Sequence, residues 1–288
     1  MVSSAADLRT RIEQHFEELT SLRELSDARY HATHETFESA SNQRELILEW
    51  LGALARRLDL PSRGHARLLS VGCGGGVMDL RVARVFSDHV DAVSLVGVDP
   101  NPEHTRAFQS QLSGEGFDVD VFTSGFEDFE TSRTFDVVHF IHCLYYFEHI
   151  VPELRKAVDV LSPDGALVVL QAPNEALNHL ADRVWKKQFE RSAWYSDDVI
   201  AALEGMGADI EVERIDAEVD VTDCFERGNE KGIEILDFIV QAETQKLPQA
   251  FQASLRESLR SICRQQGDRL LSRHPVDAIV ARKQNRPR

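Results

Sequence analysis

Apolar positions recur along this chain with two different periods, and the change from one to the other marks its organisation. Up to residue 66 the spacing is helical. Leu46, Ile47, Trp50, Leu51, Leu54 and Leu58 form a stripe that must pack against something. Pro61-Ser62-Arg63-Gly64 breaks the pattern. Beyond it, short apolar runs predict strands at 68–71, 93–98, 117–122, 135–141 and 165–171, with helices near 77–87, 102–113 and 150–161. Such alternation predicts an α/β fold, a parallel sheet with helices on both faces. After Leu170 the pattern predicts helices at 174–190 and 196–206, the second with Ser196 as N-cap ahead of Asp197-Asp198. A strand at 209–218, a helical insertion over about 222–265 and a last strand at 276–281 complete the chain.

The first strand runs directly into a glycine-rich turn, Gly72-Cys73-Gly74-Gly75-Gly76, and the second ends on Asp99. Gly72, Gly74 and Gly76 let the backbone turn tightly and approach a ligand where a Cβ would collide. A carboxylate at the tip of the next strand can accept both hydroxyls of a ribose. Together they outline a site for an adenosine cofactor. A dinucleotide fingerprint places its third glycine where this chain has Val77. The spacing therefore favours S-adenosylmethionine over NAD, the bland alternative being a merely tight strand-to-helix turn.

Composition narrows the setting. With 288 residues, 42% of them apolar, the chain can bury a sizeable core. A net charge of −16 would repel a phosphate backbone, and the basic residues cluster only in pairs such as Arg56-Arg57, so no nucleic-acid partner is expected. Cys73, Cys143, Cys224 and Cys263 are scattered without a Cys-x-x-Cys pair, which argues against a disulfide framework or zinc site and suits a reducing cytoplasm. No segment reads as a signal peptide or reaches transmembrane length, so a cytoplasmic protein without a membrane partner is expected.

The fourth strand and its exit, Phe135 to Tyr146, carry two histidines. His139 lies deep in the strand and reads as structural. His142 lies at the carboxyl end, where such sheets bind ligands. Residues three apart on a strand point to opposite faces, so the pair is a poor metal site and no metal is expected. His142 and Tyr146 are the candidate catalytic residues. An aromatic face such as those of Tyr145 and Tyr146 favours a sulfonium charge, although aromatics more often simply fill cores.

Taken together, Val71 to Gly76, Asp99 and Thr134-Phe135-Asp136-Val137-Val138 resemble the seven-stranded methyltransferase fold, a mostly parallel doubly wound sheet. Ser70 stands where many members carry an acidic residue. That departure, with Leu144-Tyr145-Tyr146, Val184-Trp185-Lys186-Lys187 and Asp220 to Gly232 followed by Leu236-Asp237-Phe238, resembles the histamine N-methyltransferase family. The likeness covers roughly residues 41 to 282. It implies an N-terminal helical lid at 1–66, a cofactor-binding core at 67–173, and acceptor-pocket helices that complete the sheet at 174–288, all in one integrated domain. It implies cofactor contacts at Gly72, Asp99, His104 and Ile141, more loosely at Ser124, beside Gly74 and Gly76 from the turn. It puts Tyr146, Trp185 and Phe225 on the acceptor wall, with Tyr145 beside them.

The family's polar anchors differ here. Ser41-Asn42-Gln43 stands where the family has Glu-His-Gln, with Glu38 one turn earlier as a substitute carboxylate. His142 replaces a glutamine and His274 an asparagine. The resemblance thus implies methyl transfer from S-adenosylmethionine to a nitrogen of a small imidazole or amine, by a monomer or weak homodimer. A neutral nitrogen already carries its lone pair, so a base is needed only for a hydroxyl, thiol or ammonium, where His142 or His274 would serve. Two histidines would also suit an acceptor carboxylate. Rival readings are a cyclising enzyme that releases methylthioadenosine, a non-catalytic cofactor-binding module, and a methyltransferase of protein-bound substrates.

Overall fold

A computed structural model describes residues 25–283 except 59, 61–63 and 176. The chain divides into two units, each assembled from separate stretches: Arg44–Ala172, Trp194–Ile215 and Val276–Arg288 form one, and Met1–Gln43, Pro173–Ala193 and Asp216–Pro275 the other.

The first unit is built on a seven-stranded sheet. Its strands are β1 (His65–Val71), β2 (Ala92–Asp99), β3 (Asp118–Thr123), β4 (Phe135–Ile141), β5 (Leu161–Gln171), β6 (Asp209–Ile215) and a late strand, Val276–Arg282, in the order β3-β2-β1-β4-β5-(276–282)-β6. The first five are parallel, and the late strand runs antiparallel to both neighbours. Chain order reverses between β1 and β4, and a ligand crevice opens at such a switch point beyond the carboxyl ends. Strands buried on both faces explain the continuous apolar runs of β4 and β5.

Two cores result. On one face, Leu68, Val137 and Val168 meet Ile47, Leu51 and Leu54 of the helix Gln43–Arg57 and Val82, Ala83 and Phe86 of the helix Val77–Ser87. The apolar stripe expected near Leu46 therefore has its partner. On the other, Leu69, Val138 and Val169 meet Leu154 of the helix Ile150–Asp159 and Val199 and Leu203 of the helix Ser196–Gly205. The N-cap of the last is Tyr195, whose N–H donates to the Asp198 carboxylate (2.9 Å). Ser196, expected to cap, instead spends its buried hydroxyl on Asp277 (2.5 Å), a buried carboxylate that needs the donor more.

In chain order the described helices are α1 (Asp27–Ser39), α2 (Gln43–Arg57), α3 (Val77–Ser87), α4 (Pro102–Gly114), α5 (Ile150–Asp159), α6 (Leu177–Phe189), α7 (Ser196–Gly205), α8 (Glu230–Val240) and α9 (Gln249–Ile262). The second unit packs α1, α6, α8 and α9 around Phe37, Leu180, Ile235, Leu236, Phe251 and Leu255. Arg29 of α1 donates to buried Asp237 (2.7 Å) and to Glu234 (3.1 Å) of α8, which fixes the two helices to each other. A carboxylate without such partners would be costly to bury.

The insertion is not helical throughout. It holds α8 and α9 but ends in β8 (Cys263–Gln266), which forms a three-stranded antiparallel sheet with β9 (Arg269–Arg273) and β7 (Glu218–Asp220) from either side of the insertion, in the order β7-β9-β8; the late strand of the large sheet is thus β10. The expected strand at 209–218 stops at Ile215 because residues from Glu218 pair with β9 instead of β10. Among the described residues no helix is long and apolar enough to cross a membrane.

Candidate active site

The turn after β1 is held by its neighbour strand: Gly72 and Cys73 donate to the Val98 carbonyl (2.8 and 3.2 Å). Gly72, Gly74 and Gly76 all have positive φ, the conformation for which glycine was expected. Each has a different neighbour. A Cβ on Gly72 would lie 2.7 Å from Cys143 Cβ, and one on Gly76 2.7 Å from Leu112 Cδ1. One on Gly74 would meet nothing within 4 Å, so the space beside that backbone is open. Gly76 then starts α3 as its N-cap.

Asp99, nearly buried at the end of β2, gathers this edge. One carboxylate oxygen accepts from Gly74 N–H (3.0 Å), the other from Asn101 N–H (2.9 Å) and pairs with His104 Nδ1 (3.2 Å). Two carboxylate oxygens offer about four acceptor sites, so capacity is left for a hydroxyl. An acceptor carboxylate beside open glycine backbone is the arrangement that a ribose hydroxyl and its adenosine need. Ser124 directly follows β3, and Ile141 ends β4. The seven expected cofactor residues thus collect at the carboxyl ends of β1 to β4 and the start of α4.

His142 stands one residue beyond β4, at the carboxyl end where it was expected, in a turn with φ of 50°. Its N–H donates to Leu170 O (3.0 Å), which ties the turn to β5. Cys143 Sγ donates to Val71 O (3.1 Å), so the exits of β4 and β1 are joined. Tyr145 and Tyr146 follow in a short 3-10 turn. Tyr145 OH lies near His142 Nδ1 (3.2 Å), whereas Tyr146 is exposed. His139 is buried with its Nε2 2.9 Å from Asp79, the structural role expected of it. All four cysteines are free, and burial pushes their thiols up, to about 11 for Cys263 and about 12 for Cys224, so none is a ready nucleophile.

The other expected acceptor residues lie in the second unit. Ser41 Oγ is 2.9 Å from His274 Nδ1, and Gln43 Nε2 donates to the His274 carbonyl (2.7 Å). Phe37 meets the His274 ring edge-on at 4.9 Å. Glu38 is 3.6 Å from His34 Nε2, beside a ring cluster of Tyr30, His34, Phe37 and Phe238. Sequence reasoning missed that cluster because its rings come from two helices far apart in the chain. The Phe225 ring is covered by the Arg260 guanidinium (4.2 Å) and Trp185 faces Arg191 (5.8 Å). Among the described residues no group of His, Cys, Asp or Glu is placed to hold a metal.

Desolvation pushes His274 down from 6.5 to about 4. As pH falls, the unfolded chain takes this proton first. Stability is therefore undiminished above about pH 6.5, is lost as pH falls towards 4, and loses no more below that. The loss is at most about 3.5 kcal/mol. Thermal melts from about pH 7.5 to pH 4 should show a shallower acid loss for His274→Asn than for the wild type. Parallel curves would remove His274 as the source.

The profile of the family described as "Methyltransferase domain" matches residues 39–201. The chain belongs to that family, whose enzymes use S-adenosylmethionine as methyl donor. It is similar to the histamine N-methyltransferase of Xenopus tropicalis, 27% identical over 213 residues, which are 67% of this chain and 71% of the relative. Carnosine N-methyltransferase 2 of Gallus gallus is 23% identical over 267 residues, 84% and 82% of the two chains. The ubiquinone biosynthesis O-methyltransferase of Azorhizobium caulinodans is 31% identical, but over only 44% of this chain and 47% of its own. Of solved structures, YcgJ of Bacillus subtilis superposes with a TM-score of 0.55 at 14% identity, covering 81% of this chain and 98% of that one. The plantazolicin methyltransferase BpumL, in complex with SAH, gives 0.51 at 12% identity, covering 97% and 98%. These two likenesses are of fold.

Proposed function

We propose that the protein transfers a methyl group from S-adenosylmethionine to a nitrogen of a small imidazole or amine. The observation that carries the choice of nitrogen is the extent of similarity. The histamine and carnosine N-methyltransferases match over most of the chain, the O-methyltransferase over less than half.

In this reading Gly72, Gly74 and Gly76 present bare backbone to the cofactor, Asp99 accepts a ribose hydroxyl, and His104, Ser124 and Ile141 line the same edge. When bound, S-adenosylmethionine supplies a methyl on a sulfonium, a leaving group that needs no acid. The protein's task is then to align the acceptor and exclude water. His142, Tyr145 and Tyr146 do this from the sheet edge; for Glu38, Ser41, Trp185, Phe225 and His274 the support for an acceptor role is the family resemblance. The depressed His274 pKa supports a neutral imidazole there at physiological pH.

The test is incubation of the purified protein with S-adenosylmethionine, with and without histamine, histidine, carnosine and simple amines, read by mass spectrometry. S-adenosylhomocysteine that appears only with an acceptor, together with an N-methylated product, is the expected result. Methylthioadenosine formed without acceptor would assign a cyclising enzyme instead. Tight cofactor binding without any product would assign a binding module.

A further inference from the structure

We propose that Tyr145 fixes His142 as a hydrogen-bond donor at Nε2, so that His142 reads an oxygen of the acceptor and is not the base. The proposal rests on the reading above, that the edge beyond β4 faces the acceptor.

Three groups carry it. Tyr145 OH lies 3.1 Å from Ala172 N and 3.2 Å from His142 Nδ1. A backbone N–H can only donate, so the phenol oxygen accepts from Ala172. A phenol is a better donor than acceptor, because its lone pairs are drawn into the ring, and the bare nitrogen of an imidazole is a strong acceptor. The phenol proton therefore goes to Nδ1, and the neutral ring carries its own proton on Nε2. The two rings are nearly parallel, 9° apart.

The backbone is arranged to hold this. His142 occupies a left-handed conformation that a non-glycine residue rarely takes. Its N–H bond to Leu170 O and the phenol bond both lead to the end of β5, where Leu170 and Ala172 flank Gln171. Strain kept in place by two anchors on a neighbouring strand is a mark of a positioned side chain.

The chemistry follows. Nε2 carries a proton in both the neutral and the charged ring, so it donates across the working pH range and has no lone pair with which to take a proton. Donation to the nucleophilic nitrogen would occupy the lone pair that must attack. His142 thus suits a second group on the acceptor, an oxygen of a carboxylate or carbonyl. The acceptor class is an imidazole or amine that also carries a carboxylate. Tyr145 is a positioning residue.

Two-bond proton–nitrogen NMR of the 15N-labelled protein distinguishes the tautomers, with the His142 signals assigned by their loss in His142→Gln. The neutral wild-type ring should be protonated at Nε2, and Tyr145→Phe should shift it to a mixture. In turnover, Tyr145→Phe should raise KM for histidine about tenfold more than KM for histamine, with the larger effect on KM than on kcat. His142→Ala should raise KM for histidine more than His142→Gln, which keeps a donor. A neutral ring protonated at Nδ1 overturns the proposal whatever the activity. Equal effects of Tyr145→Phe on histidine and histamine overturn the carboxylate assignment. The expected tautomer in a protein that methylates none of these acceptors would uphold the role of Tyr145 and overturn the functional reading, and the acceptor-oxygen assignment with it.

Discussion

Replacing Asp99 by alanine should weaken S-adenosylhomocysteine binding by at least about 100-fold, with a fall in thermal stability. Two effects combine. The carboxylate that would accept a ribose hydroxyl is removed, and a charge-assisted hydrogen bond of this kind is worth about 1.5–3 kcal/mol. The same carboxylate also shapes the site before any ligand arrives, because it accepts from Gly74 N–H and Asn101 N–H and pairs with His104. Without it the turn loses its tie to the end of β2 at the one glycine whose neighbourhood is open. Asp99→Asn keeps the shape and loses the charge. Its amide oxygen can still accept from one N–H while its NH2 opposes the other, so it should fall between. Isothermal titration with S-adenosylhomocysteine, alongside thermal melts, reads both parts. Binding by the alanine variant within about threefold of wild type would take Asp99 out of the cofactor site.

Gly232→Ala should lower the melting temperature by about 10 °C or more, or prevent folding. A Cβ there would lie 2.0 Å from the Asp223 carbonyl oxygen, 2.3 Å from its carbon and 2.7 Å from Cys224 N. These are backbone atoms, so no rotamer change relieves the contact. The start of α8 would have to pull away from the 222–225 turn. That movement would stretch Asn229, whose side chain caps Gly232 N–H (3.2 Å) and donates to Asp223 (3.2 Å). It would also pull Ile235 and Leu236 out of the core of their unit. Overpacking of this kind costs about 1–3 kcal/mol even where side chains can yield, and more where they cannot. Gly228→Ala is the control. Its φ is +79°, but a Cβ meets nothing within 4 Å, so only backbone strain of about 1–2 kcal/mol is expected. Circular dichroism melts of the two variants decide the matter. Equal shifts would mean that conformation, not contact, is what glycine supplies at 232.

The cofactor half of the site is legible in the amino-acid sequence because its chemistry is local. A strand that ends in Gly72, Gly74 and Gly76, and a second that ends in Asp99, need only backbone freedom and a strand tip. Their meeting follows from the parallel pairing of β1 with β2. Of the proposed acceptor residues, His142, Tyr145 and Tyr146 are marked by their place at the end of the fourth strand, and the others are legible only through family resemblance. A lone His274 has no periodicity or spacing that announces a role.

The sequence by itself determined where most elements begin and end, because apolar period, helix-breaking proline and positive-φ glycine act within a few residues. By the same reasoning it determined a parallel sheet with helices on both faces and a ligand edge at the carboxyl ends of its strands, while the strand order came from the structure. Only the tertiary structure decided what depends on distant partners. The start of β8 reads as the end of a helical insertion in the sequence because Arg264 and Gln265 alternate with nothing apolar. Its strand character comes from pairing with β9, which itself pairs with β7 some fifty residues earlier. Ser196 lost its cap to Asp277 in the same way. The proton on His142 is set by Tyr145 and the backbone N–H of Ala172, groups that meet only when β4 and β5 lie side by side. Local rules choose a backbone conformation. Which hydrogen-bond partner wins is a competition settled by burial, and burial exists only in the folded chain.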